Sequence, residues 1–180
     1  MFEPFALTAI GVVRSPYPER HGTPQQAALD DPEADAALPE ARIELFPERV
    51  DKDALDDLEG MERIWVLAYL HLCQGFAVKV KPPRGEPVKR GMFATRTPHR
   101  PNPIGLSAVR LVRVEGHTIH VRGIDLLDGT PVLDIKPYVP YADAFPNARA
   151  GWIDHIPKGS RQYGRGPRAR HKRDKAEGEP

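Results

Sequence analysis

Four side chains that could bind an anion or a nucleobase lie close together in one proline-rich stretch, residues 91–107. This set comprises Arg96, His99, Arg100 and Asn102. Their nitrogen donors suit a phosphate, a carboxylate or the edge of a base. Three prolines within the stretch fix their own φ angles and push the preceding residues towards extended geometry. The pattern predicts a stiff loop that loses little entropy on binding a ligand, although an ordinary polar surface connection has the same composition.

Charge is unevenly distributed along the 180 residues, although the net charge is only +1. Residues 30–59 hold 12 acidic and 3 basic residues, whereas residues 158–173 hold seven Lys or Arg and no acidic residue. A hydrophobic content of 40% is enough for one domain with a packed core. We predict a domain over residues 1–157 and a basic, disordered tail over residues 158–180, which could neutralise nucleic-acid phosphates.

Several functional classes lack their usual signals. The single cysteine, Cys73, excludes an intramolecular disulfide and fits a reducing compartment. Because the N-terminus lacks a secretory signal and no apolar run is long enough to span a bilayer, we expect a cytoplasmic protein without a membrane partner. We expect no metal, since no zinc-binding motif is present, and no glycine-rich nucleotide fingerprint precedes a helix.

Short apolar runs separated by turn residues predict a mainly β protein. We expect strands over residues 5–13, 41–46, 63–73, 76–80, 92–95, 106–114, 117–123 and 131–138. Asp51 can cap a helix over residues 52–59, and Asp128-Gly129 is a strong turn signal. Few helical periods remain, so we predict a single-sheet antiparallel β-barrel with one or two short helices.

Alternation within two of these strands predicts which side chains face the barrel interior. In the strand over residues 117–123, Ile119 and Val121 should face inward, with His120 and Arg122 outward. In the strand over residues 131–138, Leu133 and Ile135 should share one face, and Asp134 and Lys136 the other.

Longer motifs resemble the TsaA-like family. They are Ile-Gly-Val-Val-Arg-Ser-Pro at 10–16, Phe-Ala-Thr-Arg at 93–96, Arg-Pro-Asn-Pro-Ile-Gly at 100–105, Asp-Leu-Leu-Asp-Gly-Thr-Pro at 125–131 and Asp-Ile-Lys-Pro-Tyr at 134–138. The resemblance covers residues 5 to about 150. It implies a β-barrel homodimer that uses S-adenosylmethionine to methylate N6 of N6-threonylcarbamoyladenosine beside the tRNA anticodon.

The resemblance also implies which residues bind the cofactor. They are Gln26, Ala27, His71, Leu72, Arg96, Leu106, Gly129, Thr130, Pro131 and Val132. Two of these have an alternative role that the sequence leaves open. Arg96 could be a surface salt-bridge partner, and His71 a core histidine with its hydrogen bonds satisfied.

The acceptor nitrogen implied by the resemblance is a poor nucleophile, because its lone pair is delocalised into a urea-like group. A carboxylate that accepts its proton would help. Asp125, Asp128 and Asp134 are the candidates, and we favour Asp134 because it lies beside a cation on a strand. The candidate substrate-binding residues are Arg14, Arg100, Asn102 and Lys136, of which the cations suit a tRNA phosphate or the threonyl carboxylate.

Two other function classes remain open from the sequence. One is a methyltransferase on the same scaffold that acts on another substrate. The other is an RNA-binding barrel without catalytic activity.

Overall fold

The computed structural model describes residues 5–19, 23–24, 37–83 and 85–156. Its strands are β1 (Gly11–Arg14), β2 (Glu40–Leu45), β3 (Arg63–Tyr69), β4 (Lys79–Val80), β5 (Arg90–Gly91), β6 (Ile104–Glu115), β7 (Thr118–Arg122) and β8 (Pro131–Pro137). Six of them close into an antiparallel barrel in the order β1–β2–β7–β6–β3–β8, while β4 and β5 form a separate two-stranded ribbon. The predicted single-sheet barrel is therefore confirmed. Two predicted cofactor-binding residues, Gln26 and Ala27, and the tail over residues 158–180 lie outside the described residues.

The barrel interior is built by the two-residue period of its strands. In β3, Ile64, Val66 and Ala68 point inward and are fully buried, whereas Trp65 and Leu67 between them point outward. Each fully buried Val or Ile contributes about 1.5–3 kcal/mol through removal of apolar surface from water. Inward-facing side chains of all six strands meet in this one core. Its strand residues are Val13, Ala41, Ile43, Leu45, Ile64, Val66, Ala68, Val109, Leu111, Ile119, Val121 and Val132, and Ile124 and Leu126 join them from the segment after β7.

Two predicted elements have a different conformation. The expected helix over residues 52–59 is two 3₁₀ turns, Lys52–Leu55 and Leu58–Gly60, because Asp57 between them adopts a left-handed conformation with φ of 63°. The Asp51 cap is confirmed, since its side chain accepts a hydrogen bond from the Asp53 amide. The expected strand over residues 92–95 is a 3₁₀ turn, Met92–Ala94, closed by the Thr95 amide donating to the Met92 carbonyl.

Five strands are shorter than predicted, and the difference is largest in β1, β3 and β4. β1 begins at Gly11 rather than at Phe5, and the second half of the predicted segment 76–80 alone forms β4. β3 ends at Tyr69 because the chain turns there, with the Cys73 amide donating to the Leu70 carbonyl at 2.9 Å. Short strands suffice because each needs only to cross the small barrel.

A bulge in β8 changes which side chains face the core, so the prediction that Leu133 and Ile135 share one face is wrong for Leu133. Leu67 of β3 pairs with Asp134, but the next residue, Ala68, pairs with Val132, so Leu133 is an extra residue without a partner in β3. Val132 therefore enters the core, and Leu133 does not. Ile135 packs against the core as predicted.

The outside of the barrel carries a charged network on one side. Arg113 donates to Glu40 at 2.7 Å and to Glu115 at 2.6 Å. His120 lies between the same two carboxylates, and this explains why it is buried although its strand position faces outward, as predicted. Arg113 is the main cause that lowers the pKa of both Glu40 and Glu115, so both carboxylates stay ionised at neutral pH.

The other side of the barrel exterior is apolar. Leu67 and Tyr69 of β3 pair with Leu106 and Ile104 of β6, and all four side chains point outward. We call these four residues the apolar face. Below them, Trp65 is covered by the short helix α1 (Pro140–Asp143), since its indole nitrogen donates to Asp143 at 3.0 Å.

One end of the barrel is closed by the segment between β2 and β3. Val50, Leu55 and Leu58 from this segment pack against the core. The Val114 amide donates to the Glu59 carboxylate, which fixes the segment to β6. Among the described residues, no helix is long and apolar enough to cross a lipid bilayer.

The close contact between β1 and β2 yields a stability prediction. A Cβ atom at Gly11 would lie 2.6 Å from the Glu44 carbonyl oxygen and 3.0 Å from the Leu45 Cα, so the strands would have to separate. We expect Gly11→Ala to lower the free energy of unfolding by about 1–3 kcal/mol, as for overpacked cores. Urea denaturation measures this.

Gly60→Ala is the matched control, because nothing lies within 4 Å of the added Cβ atom and no left-handed conformation is required there. Equal midpoints for the two variants would contradict the claim that this contact fixes the distance between β1 and β2.

Candidate active site

The strand directions bring three motif segments to one end of the barrel. β3 runs antiparallel to both β6 and β8, so its last residues lie beside the first residues of those strands. Tyr69 pairs with Ile104, and Ala68 pairs with both Gly105 and Val132. We call this end of the barrel the site end. The residues that follow β3, begin β6 and lead into β8 therefore surround one location.

The turn that leads into β8 is fixed to the end of β1. The Gly129 amide donates to the Val13 carbonyl at 2.9 Å, and the Asp128 amide donates to the Tyr17 carbonyl at 2.9 Å. Asp128 also accepts a hydrogen bond from the Ser15 amide at 3.0 Å. Gly129 has a φ of 75°, which favours glycine, and no atom lies within 4 Å of where its Cβ would be. A ligand can therefore approach this backbone closely.

The proline-rich loop is held by hydrogen bonds as well as by its prolines. Arg100 Nη1 donates to the carbonyls of Met92 at 3.2 Å and Thr95 at 3.1 Å. At the far end of the loop, the Leu70 amide donates to the Pro103 carbonyl at 2.8 Å. The loop is thus tied to the end of β3, and it presents its side chains beside the site end.

Arg96 projects from this loop with its side chain exposed. His71 and Leu72 are exposed in the turn after β3, and Leu72 is 65% exposed, while Leu106 on β6 is 52% exposed. Two exposed leucines and an exposed guanidinium on segments that meet at the site end could hold a flat apolar ring together with a carboxylate. The turn Gly129–Pro131 lies at the same end, but the side chain of Val132 points into the core.

The sequence analysis named Asp125 as a candidate carboxylate but missed its hydrogen bond to the buried Ser107. The Ser107 hydroxyl, in a residue only 2% exposed, donates a short hydrogen bond to Asp125. Burial first, and then the Asp125 carboxylate, raise the pKa of Tyr17, so its phenol stays protonated at neutral pH. The sequence did contain a signal for this pair. Ser107 lies two residues before Val109 and four before Leu111, so strand alternation places it on the same inward face of β6.

The predicted substrate-binding residues are not gathered in one cluster. Arg14 donates to Glu44 at 2.8 Å on the barrel exterior, and this hydrogen bond raises its pKa. Arg100 is used within its own loop, as described above. Asn102 is exposed next to Pro103 at the site end. Lys136 lies 2.7 Å from Asp134.

The three candidate carboxylates occupy different surroundings. Asp125 accepts from Ser107, and Asp128 accepts from Ser15. Asp134 lies on the barrel exterior in a row with Leu67 and Leu106, because Leu67 pairs with both residues. Two strand spacings separate Asp134 from Leu106, or about 10 Å between backbones.

A depression at the opposite end of the barrel is not suited to nucleic acid. It has a volume of 580 Å³ and is lined by residues that include Asp53, Asp56, Asp57 and Glu59. These carboxylates would repel phosphates. In the part of the chain that the structure describes, no group of three or more His, Cys, Asp or Glu residues is arranged to hold a metal ion.

The chain is similar to proteins that are named for binding S-adenosylmethionine or for methylating tRNA. A Pyrococcus abyssi protein named "Probable S-adenosyl-L-methionine-binding protein" is 42% identical over 145 residues, covering 81% of this chain and 74% of that protein. The Escherichia coli tRNA (adenine(37)-N6)-methyltransferase is 38% identical over 160 residues, covering 85% of this chain and 66% of that enzyme.

A solved structure has the same barrel. The crystal structure of TrmO from Pseudomonas aeruginosa matches with a TM-score of 0.69 and 42% identity, covering 86% of this chain and 65% of that one. The chain thus spans about two thirds of the length of the Pseudomonas and Escherichia proteins.

The model of one protein family, the tRNA-methyltransferase O N-terminal domain, matches residues 12–144. These residues run from the second residue of β1 to just beyond α1 and include all of the barrel except Gly11. This chain therefore belongs to the family of the tRNA-methyltransferase O N-terminal domain.

Proposed function

We propose that this chain is an S-adenosylmethionine-dependent methyltransferase that acts on N6 of N6-threonylcarbamoyladenosine beside the tRNA anticodon. The observation that carries the proposal is the convergence of His71-Leu72, the Arg96 loop, Leu106 and the turn 129–131 at the site end. The names of the Pyrococcus and Escherichia relatives, which refer to this cofactor and to N6 of adenine 37 in tRNA, support it.

The residues at the site end fit S-adenosylmethionine. Exposed Leu72 and Leu106 suit the faces of its adenine ring, and the exposed Arg96 guanidinium suits its carboxylate. The open backbone at Gly129 admits a close approach. Thr130, which is buried, and Pro131 follow it in the same turn and are assigned to the cofactor set with it. His71 and the backbone of Val132 complete this set. Gln26 and Ala27, which lie outside the described residues, are assigned to the cofactor by the sequence resemblance alone.

Positioning is the main contribution that we assign to the chain in catalysis. When bound, the cofactor supplies an electrophilic methyl group on a sulfonium, and the carbon–sulfur electron pair stays on sulfur. Holding the acceptor nitrogen in line with that carbon is worth roughly 7–11 kcal/mol of the barrier. The rigid turn 129–131 and the loop around Arg96 provide this order before the substrate arrives.

Asp134 is the carboxylate that we assign to accept the N6 proton. It lies half-buried on the barrel exterior in the same row as Leu106, whereas Asp125 and Asp128 hold the structure of the site end through Ser107 and Ser15. Lys136, 2.7 Å from Asp134, provides a positive charge for the threonyl carboxylate or a phosphate. Arg14, Asn102 and Arg100 complete the proposed tRNA contacts.

A second copy of the chain is the proposed partner of the apolar face. Tyr69, Ile104 and Leu106 are large hydrophobic residues that remain exposed in a single chain. A twofold dimer buries such a face against its own copy, and it is the commonest oligomeric arrangement. Leu106 belongs both to the apolar face and to the residues assigned to the cofactor. The proposed interface therefore adjoins the cofactor site. We assign the reaction to the cytoplasm, where the single Cys73 would stay reduced.

The cofactor assignment predicts binding by the purified protein. We expect Arg96→Ala to weaken S-adenosylmethionine binding by about 1–3 kcal/mol, because a hydrogen bond to a charged group is lost. Isothermal titration calorimetry measures this. Arg42→Ala on β2, which lies on the far side of the barrel, is the control and should leave the affinity unchanged. Wild-type protein that gives no heat and no thermal shift at saturating cofactor would refute the methyltransferase proposal.

The reaction predicts a product with one added methyl group. We expect tRNA that carries N6-threonylcarbamoyladenosine to gain the methyl group at that base, and unmodified tRNA to remain unchanged. Asp134→Asn should lower kcat about 10²- to 10⁴-fold without changing cofactor affinity, because it removes the general base. Mass spectrometry of digested tRNA measures both. Equal methylation of unmodified adenosine would contradict the substrate assignment, and an undiminished kcat in Asp134→Asn would contradict the role of this carboxylate.

The dimer predicts a mass of twice 20.1 kDa in light scattering at micromolar concentration. We expect Ile104→Glu to give the monomer mass, because a charge within the apolar face cannot be buried without a partner. Val112→Glu is a matched control on the same strand, since Val112 is 38% exposed and Ile104 is 41% exposed. A monomeric wild-type protein, or dissociation of both variants alike, would show that the apolar face is not the interface.

A further inference from the structure

The proline-rich loop carries one exposed aromatic ring on a backbone that is fixed by hydrogen bonds. Phe93 is 77% exposed and stands at the middle of the 3₁₀ turn Met92–Ala94. The Met92 carbonyl accepts from the Thr95 amide and from Arg100, and the Ala94 carbonyl accepts from the Trp152 indole at 2.8 Å. The backbone on both sides of Phe93 is therefore fixed while its ring faces solvent.

Arg100 connects the ring to the rest of the loop. Its Cζ atom lies 5.3 Å from the centroid of the Phe93 ring, within the range of a cation–π contact. Since Arg100 also donates to the carbonyls of Met92 and Thr95, the guanidinium is held in place beside the ring. Arg100 thus helps to fix the orientation of the ring, and most of the ring surface stays open.

The proline-rich loop that carries the ring is basic. Residues 91–107 contain Arg96, His99 and Arg100 and no acidic residue. The acidic cluster of residues 53–59 lies at the other end of the barrel, by contrast. A rigid aromatic ring in a loop that carries cations is the combination that binds an unpaired nucleotide, because the base stacks on the ring while the phosphates meet the cations.

We propose that Phe93 is a stacking site for an unpaired nucleobase of the tRNA substrate, oriented by Arg100. Phe93 lies three residues before Arg96 in the sequence, but it is not one of the residues assigned to the cofactor. It would hold a nucleotide of the anticodon loop while the modified base enters the site end. This inference rests on the proposed function, which supplies tRNA as the substrate.

The test uses the full chain and an anticodon stem-loop RNA with 2-aminopurine placed at one loop position at a time. Stacking on an aromatic ring quenches 2-aminopurine. We expect the wild-type protein to quench the probe at one loop position, and Phe93→Leu to lose that quenching and to weaken RNA binding about 5- to 100-fold. In the methylation assay the same variant should raise KM for tRNA and leave kcat close to that of the wild type.

Two variants make the result specific. Phe145→Leu is a matched control, because Phe145 is 71% exposed but lies outside the proline-rich loop, and it should behave as the wild type. Phe93→Trp retains an aromatic face and should restore quenching and affinity. Calorimetry with S-adenosylmethionine should give the same affinity for wild type and Phe93→Leu.

Each other outcome overturns the inference. Wild-type methylation with Phe93→Leu indistinguishable from Phe145→Leu would refute the stacking site and leave the proposed function intact. A loss of cofactor affinity in Phe93→Leu would assign the ring to the cofactor, and a change in light-scattering mass would assign it to the dimer. A wild-type protein that neither binds nor methylates tRNA would remove the proposed function and this inference together.

Discussion

The position of β3 between β6 and β8 is the constraint on which the candidate site depends. Because both neighbours run antiparallel to β3, the end of one strand and the beginnings of two others must meet at one end of a closed barrel. The inward-facing Ile64, Val66 and Ala68 fix this register, since a slip by one residue would turn all three towards solvent. The packing of the core therefore also fixes the position of the candidate site.

Two connections at the site end, the turn into β8 and the proline-rich loop, are held rigid by hydrogen bonds. The turn that leads into β8 is fixed by hydrogen bonds to β1, and the proline-rich loop is fixed by Arg100 and by its bond to Leu70. The barrel exterior is divided between a charged network around Arg113 and the apolar face. The proposed cofactor site and the proposed dimer interface adjoin on the apolar side, with Leu106 common to both. The charged side needs no partner, because its carboxylates are matched within the chain.

The sequence predicted those features that follow from local rules. Alternation in β3, the Asp128-Gly129 turn and the absence of helical periods were enough for the barrel, and the motifs were enough for the family. Features set by tertiary contacts were not accessible. The bulge at Leu133 depends on how β8 pairs with β3, the left-handed Asp57 breaks a segment that has helical composition, and the Ser107–Asp125 pair joins residues from different parts of the chain. The sequence already favoured Asp134 because of the neighbouring cation, but its position in one row with Leu106 is shown only by the strand register.

The central claim is that the cofactor binds at the end of the barrel where β3 ends and β6 and β8 begin. Backbone amide NMR spectra of the protein with and without S-adenosylhomocysteine test it most directly. The account predicts that the shifted amides cluster at His71-Leu72, at Arg96 and Leu106, and at Gly129-Thr130, with the closed end unaffected. Shifts that cluster instead on residues 51–60 and Gly116, at the closed end of the barrel, would contradict it.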